Sequence, residues 1–497
     1  MASIFEAPLQ LASAPARTLD LLRRLGVDYV RVSVYWRSLA PSPTSRARPR
    51  DFHGASPTAY QASAWAPYDA IVRDAKARGI GVYFTLTGPA PDWAEGMGAP
   101  KPPAPQGVWK PTAAAVGEFV RAVGTRYSGR YTPPGESSPL PPVSFWSIWN
   151  EPNVGQANLA PQAIDGSRID TSPAMYRALL SAGWSALHAT GHGADTILIG
   201  ELAPDGQTIG NVPGNFGYMV PLRFVRALYC VNSSLRPLRG TAAAERGCPT
   251  TSAVSKSFVR ENPALFQASG YAVHPYLQGR AAPTTSTRYE PDYANSAALP
   301  KLERTLQTAT GDYGQSRRFL LYDSEFGYLT DPPLRSGAPP ALAAAYENWA
   351  EYISWRNPLI RSFDHYLLVD PAPGGPSQFF SGLEFFNGAP KATYAAFRMP
   401  IYLPVTRASA GHRLQVWGCV RPAHYARLQT GSTQRVQIEF QPRGKGRFEV
   451  LATVPITNKD GYFDLDLRPT SSGVVRLAWA YPRGAEIYSR SVRVSIR

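Results

Sequence analysis

Val143-Ser-Phe-Trp-Ser-Ile-Trp-Asn-Glu-Pro-Asn153 is the stretch that decides the fold. Its first seven residues, Val143 to Trp149, are apolar apart from two serines and rich in aromatic and β-branched types. That is the pattern of a strand buried on both faces. The run breaks at Asn150-Glu151-Pro152-Asn153, because Pro152 has no amide hydrogen to give to a sheet ladder. A carboxylate is thereby fixed at the C-terminal end of a buried strand, beside an amide and among indole rings. Burying a lone carboxylate costs several kcal/mol unless it is paired or used, so Glu151 is a candidate functional group.

Outward from this strand, strand-like and helical runs alternate from the start of the chain to about residue 400. Strands are expected at Ile4-Phe5, 29–34, 80–86, 143–149, 196–200, 271–273, 319–322 and 365–369. Helical spacing of apolar residues separates them over 16–25, 68–78, 112–127, 172–187, 221–228, 299–308 and 342–355. Eight strands with helical crossovers predict parallel pairing and a closed (β/α)8 TIM barrel, α/β in class, with its polar residues at strand C-termini. After Pro404 the period changes to two: Val436, Ile438, Phe440; Phe463, Leu465, Leu467; Val475, Leu477, Trp479; Val492, Val494, Ile496. Turn signals at Arg443-Gly444-Lys445-Gly446, Asn458-Lys459-Asp460-Gly461 and Ser472-Gly473 lie between these runs. They predict a small antiparallel, immunoglobulin-like β-sandwich with no helix.

At 497 residues the chain suits two domains, read as 1–400 for the barrel and 401–497 for the sandwich. The net charge of +15 invites a nucleic-acid reading, but the arginines stand singly among Ala and Pro with no recognition motif. The charge therefore reads as a solvated basic surface, with an acidic polysaccharide or cell-envelope partner as the alternative, and no nucleic-acid partner is expected. No apolar run approaches the roughly 18 residues that span a membrane. The opening Met-Ala-Ser-Ile-Phe-Glu-Ala-Pro has no basic region followed by a long apolar stretch, which fits a mature chain without its leader. Of three cysteines, Cys230 and Cys248 flank a loop that a disulfide would close in an exported protein, and Cys419 is odd. No cysteine spacing resembles a zinc site.

Glu325, in Phe319-Leu-Leu-Tyr-Asp-Ser-Glu325, follows the seventh predicted strand as Glu151 follows the fourth. In an eight-stranded barrel those two positions face one another across the mouth. Two such carboxylates suit glycosidic-bond chemistry, one as general acid/base and one as nucleophile. Burial and a neighbouring charge would keep the acid protonated, and hydrogen bonds would keep the nucleophile ionised. The competing reading is that each simply pairs with an arginine at the barrel rim.

Trp149-Asn150-Glu151-Pro152-Asn153 resembles the acid/base signature of the (β/α)8 retaining glycoside hydrolases, especially families 5 and 39. Ser324-Glu325-Phe326-Gly327 resembles the nucleophile segment of family 5. Gly270 to Tyr276 is similar to the sixth-strand segment of these enzymes, and Gly26 to Arg31 to the second. The resemblance spans roughly residues 2–400 and implies a retaining O-glycosyl hydrolase, with Glu151 as acid/base and Glu325 as nucleophile. It further implies that Asn150 bonds the sugar 2-hydroxyl and that Arg31 pairs with Glu325. Tyr276 would hydrogen-bond the nucleophile, and His274 would line the subsite of the reacting sugar. The chain departs from family 5 at Leu86-Thr87-Gly88-Pro89, where a histidine is usual. It departs again after strand eight, where Val369-Asp370-Pro371 stands in place of a tryptophan platform.

Weaker signals come from Trp36 and Trp93, candidate sugar platforms or core, and from Glu201 and Asp370, candidate substrate contacts or salt-bridge partners. His192 reads as structural and His365 as a core histidine; Asp323 is left outside the site. The expected partner is a carbohydrate, β-linked glycoside or polysaccharide. No metal or organic cofactor is expected, since two carboxylates and water suffice. The alternative function is a non-catalytic glycan-binding protein on a barrel scaffold, and the expected location is secreted or cell-envelope associated.

Overall fold

The computed structural model describes residues 1–207, 210–285, 290–444 and 446–497; Lys445, in one of the turns read from the sequence, lies outside them. Eight parallel strands form the barrel: β1 (Ala2–Glu6), β2 (Tyr29–Tyr35), β3 (Gly81–Thr87), β4 (Phe145–Ile148), β5 (Thr196–Leu202), β6 (Gly270–Val273), β7 (Leu321–Asp323) and β8 (Ser362–Tyr366). They pair in the order β7-β6-β5-β4-β3-β2-β1-β8, and a parallel bridge from Leu321 to Ile360 closes the circle. The predicted strands fall where expected with one exception. The eighth is Ser362–Tyr366 and not 365–369, so the sequence reading lies three residues late. The helix expected from residue 68 begins at Ala62 and runs through Pro67 to Arg78.

Alternation along the strands sorts the interior into layers. Ile4, Tyr83, Phe145, Leu198 and Ala272 form one apolar cluster, with Tyr29 and Tyr322 packed on it. Two residues further along the same strands stand Glu6, Arg31, Thr85, Ser147, His274 and Ser324, all buried. The apolar layer thus floors a polar one at the C-terminal end of the barrel. On β5 simple alternation would point Glu201 outward, but the pairing with β6 shifts register between Gly200 and Leu202. This bulge, with Gly200 at φ +104° and Glu201 at φ +49°, turns the carboxylate inward. Only glycine fits at 200, since a Cβ there would meet Tyr271 Cε1 at 2.5 Å and Ala272 O at 2.6 Å.

Among the described residues the C-terminal region has nine strands: β9 (Ile401–Tyr402), β10 (Arg407–Ala408), β11 (Leu414–Cys419), β12 (Arg435–Pro442), β13 (Glu449–Pro455), β14 (Tyr462–Leu467), β15 (Gly473–Ala480), β16 (Glu486–Tyr488) and β17 (Val492–Ile496). They form a largely antiparallel sheet β10-β17-β15-β12-β13, with β16 on β15, and a smaller sheet β14-β11-β9. The two share a core that includes Val416, Ile438, Phe440, Leu477 and Trp479. The expectation of no helix here is corrected by Ala423–Thr430, which opens after Pro422 and stops at Gly431, at φ +69°. Trp417 and Tyr462 are buried against Tyr352 and Trp355 of the barrel helix Pro340–Arg356. Cys230 and Cys248 are joined by a disulfide, as read from the loop between them, and Cys419 is free and buried. Among the described residues no helix is long and apolar enough to cross a membrane.

Candidate active site

Arg31 is the hub of the polar layer. Its Nη1 donates to Glu6 Oε1 at 2.6 Å and to Glu325 Oε2 at 2.9 Å; its Nη2 donates to Asn150 Oδ1 at 2.6 Å and to Glu201 Oε2 at 3.2 Å. Nε donates to Thr85 Oγ1 at 3.0 Å, so every face of the guanidinium is occupied. Its carboxylate neighbours hold its pKa above the ordinary arginine value against the opposing effect of burial. His274 is the second cationic centre. Nδ1 lies 2.9 Å from Glu151 Oε1 and 3.6 Å from Glu325 Oε2, and Nε2 lies 2.8 Å from Glu201 Oε2. Burial alone would lower the histidine pKa; the charge of Glu325 and the bonds to Glu151 and Glu201 raise it well above the ordinary value.

Exposure separates the four glutamates. The side chain of Glu151 is 22% exposed and that of Glu325 14%, whereas that of Glu6 is 6% exposed and Glu201 shows no surface. Glu151 and Glu325 reach the cavity, and one oxygen of each lies, together with a ring nitrogen of His274, in a set whose members are within 4.8 Å of one another. Burial raises the Glu151 pKa, with the negative charge of Glu325 adding to it and the His274 bond opposing. Glu325 accepts from Arg31 on Oε2 and from Tyr276 Oη on Oε1 at 3.0 Å. Tyr276 is itself kept neutral, and hence a donor, by burial and by the charge of Glu325.

The backbone that presents Glu151 is under tension. Trp149 sits at φ +72° and Glu151 at φ +40°, regions that cost non-glycine residues of order 1 kcal/mol or more. Hydrogen bonds from Trp149 N to Leu86 O, Asn150 N to Thr87 Oγ1 and Glu151 N to Glu201 O hold the segment in place. Thr87, at the end of β3, thus anchors Asn150.

Glu201 is the deep anchor. It accepts from Arg31, from Ser324 Oγ at 2.7 Å and from Tyr83 Oη, and it faces His274. Burial would raise its pKa, but Arg31 and His274 outweigh burial and hold it well below the usual carboxylate range. Glu6 stands at the end of β1; burial, against the pull of Arg31, pushes its carboxyl up to about 8. Sequence reading passed over Glu6, although Ile4-Phe5-Glu6 repeats the pattern of an acid closing an apolar strand. Tyr83 was passed over too, and an aromatic inside an apolar run carries no signal to find it.

Arg31, Asn150, Glu151, His274, Tyr276 and Glu325 are therefore brought together, with Glu201 beneath them. Three expected residues lie elsewhere. Trp36 is fully buried, stacked on Phe119 at 5.7 Å and edge-on to Trp93, so it has no free face for a sugar. Trp93 is half-buried, donates from Nε1 to Pro41 O at 3.0 Å and packs on Phe52. Asp370 is closed into a buried pair with Lys391 at 2.7 Å. His192 is structural, with its ring between Asp195 Oδ2 and Gly124 O.

Glu151, His274 and Glu325 also form a possible metal-donor set. The Arg31 guanidinium on Glu325, and the second proton that His274 must carry to serve carboxylates on both sides, put positive charge where a cation would sit. The arrangement favours proton chemistry instead. A cavity of about 510 Å³ opens over Glu151 and Glu325, with Arg31, Asn150, Glu6 and Tyr366 also in its wall.

No protein-family model matches the chain, and no curated protein matches it in sequence. Solved structures share its course at low identity. A family 39 glycoside hydrolase from Bacteroides cellulosilyticus is 15% identical, with 93% of this chain and 79% of that one covered and a TM-score of 0.47. A glucosidase from Croceicoccus marinus is 12% identical, with 95% and 91% covered and a TM-score of 0.47. A family 30 endoxylanase from Clostridium papyrosolvens is 10% identical, with 95% and 94% covered and a TM-score of 0.45. The reading of function rests on the site itself.

Proposed function

We propose that the protein is a retaining glycoside hydrolase, with Glu325 as nucleophile and Glu151 as acid/base. The observation that carries this reading is the close approach of the two partly exposed carboxyls at the barrel mouth, one oxygen of each lying within 4.8 Å of the other. Retaining enzymes hold their carboxyls about 5–5.5 Å apart, whereas inverting ones leave about 6.5–9.5 Å for a water. Glu151, its pKa raised by burial, gives its proton to the departing glycosidic oxygen while Glu325 bonds to the anomeric carbon. Glu151 then takes a proton from water, which displaces Glu325 and returns the sugar with its original configuration. Arg31 and Tyr276 keep both oxygens of Glu325 oriented through the cycle. Asn150, fixed by Arg31 and Thr87, bonds the sugar beside the reacting carbon. Residues 401–497 act as a separate supporting domain, and the disulfide fits an exported protein.

Hydrolysis of a panel of aryl glycosides and β-linked polysaccharides tests this, with the product anomer followed by NMR. Retention, abolished in Glu325→Ala, is the expected result. Inversion, or undiminished activity in the variant, would overturn the assignment.

A further inference from the structure

The cavity over the carboxylates continues past Ser33 and Tyr35 of β2 into a recess between the helices Pro8–Ser13 and Ala62–Arg78. The recess is walled by Leu11, Ala12, Ala64, Pro67, Tyr68 and Ile71. The lining is sharply divided. All its charged and amide side chains, Glu6, Arg31, Asn150, Glu151, Asn158 and Glu325, lie toward the reacting end, and the recess has none among the described residues. The Tyr68 hydroxyl is already engaged, accepting from Tyr35 N at 3.3 Å and facing Ser33 O at 3.5 Å. Beside the recess the lining offers, among the described residues, only the hydroxyls of Ser33, Tyr35 and Ser38. A second sugar ring placed here would bury most of its own hydroxyls without partners, which is costly; an alkyl or aryl group would lose little.

We propose that this recess takes the apolar part of an amphiphilic glycoside whose sugar is held at Glu151 and Glu325. The identity of the polar half rests on the glycosidase reading; the apolar recess does not. Each methylene buried in such a wall tightens binding by about three- to four-fold.

The test follows the methyl resonances of Leu11 and Ile71 in isotope-labelled full-length protein. The probes are methyl, hexyl and octyl β-D-glucoside below micellar concentration, and 1-octanol as a tail without a sugar. Saturable shifts of both methyls with the long-chain probes, absent with methyl glucoside, are expected. Ala64→Glu, which brings a carboxylate into the recess, should weaken octyl binding at least ten-fold; Ala12→Glu serves if that variant does not fold. Leu9→Glu, on the exposed side of the same helix, should change nothing. Shifts with neither octyl probe, or equal shifts with methyl glucoside, would overturn the proposal. Absent shifts in a protein that still cleaves aryl glycosides would remove the recess alone. Chain-length-dependent shifts in a protein that cleaves no glycoside would leave the recess standing and remove the proposed function.

Discussion

His274 lies with Nε2 at 2.8 Å from Oε2 of Glu201, a carboxylate with no exposed surface. Through the other nitrogen the same ring reaches Glu151, so a buried anion is coupled by one imidazole to the group read as the general acid. On the proposed mechanism Glu201 is a positioning residue: with no exposed surface it acts on Glu151 only through the charge of His274. Glu201→Gln keeps the shape and removes the anion, which lowers the affinity of His274 for its second proton. Less positive charge beside Glu151 raises the pKa of that acid further. We expect kcat/KM to fall about 10- to 100-fold and the alkaline limb of the pH profile to move upward. A uniform loss with no change in the profile would mark Glu201 as structural.

The proposed mechanism requires Glu151 to carry its proton when the leaving group departs. Because its pKa is raised by burial, the protonated form persists above the pH at which an ordinary glutamate ionises, and activity declines as pH rises through the raised value. Glu151→Gln should abolish that limb and slow substrates with poor leaving groups about 10²- to 10⁴-fold, while activated aryl glycosides suffer less. Steady-state rates against pH for wild type and variant decide it; an unchanged alkaline limb in Glu151→Gln would assign the ionisation to another group.

The barrel and the carboxylates at its mouth were legible because a carboxylate closing a buried strand, like Glu151 or Glu325, is costly unless paired or used and therefore conspicuous. The eighth strand was misplaced for the converse reason. Ser362-Phe363-Asp364-His365 carries polar groups into the barrel wall, where Asp364 is fully buried, while Leu367-Leu368-Val369 beyond it looks more like a strand. Leu367 and Leu368 are instead buried past the rim, in backbone contact with Leu383 and Glu384 of the following loop. Trp36 and Trp93 show the opposite limit: an indole after a strand looks the same in sequence whether it faces a sugar or Phe119. Glu201 became an inward anchor through a bulge at Gly200, a register shift that alternation cannot foresee.

Glu347, on the helix Pro340–Arg356, gives a test of stability independent of activity. It is buried, its Oε1 has no hydrogen-bond partner, and burial pushes its pKa from 4.5 up to about 8. His365, 3.8 Å away, brings no compensating charge, because burial lowers its own pKa to about 3. Between pH 4.5 and 8 the folded chain thus binds a proton that the unfolded chain has released, so stability falls as pH rises through that window. Glu347→Gln removes this linkage. Denaturant unfolding should show the variant gaining on wild type by about 3–4 kcal/mol from pH 5 to pH 8. A difference independent of pH would show that Glu347 titrates normally.

Arg421, which follows β11, bonds both oxygens of Glu351 on the helix Pro340–Arg356, at 2.8 and 2.9 Å. Its Nε donates to Phe397 O at 2.8 Å, and Tyr462 Oη donates to Glu351 Oε1 at 2.8 Å. Both charged side chains are 2% exposed, so the pair is a desolvated fastening of the C-terminal sheets to the barrel. Removing one partner strands the other: Glu351→Ala should cost about 3–5 kcal/mol, with Arg421 left uncompensated beside the Phe397 ring. Replacing both with apolar groups of similar volume, Glu351→Leu with Arg421→Met, removes the desolvation cost along with the attraction. The double variant should therefore be more stable than either single change would suggest. A double-mutant cycle by denaturant unfolding reads the coupling directly. Additive single effects would mean that the sheets are held by the Trp417, Tyr462, Tyr352 and Trp355 rings and that the ion pair is incidental.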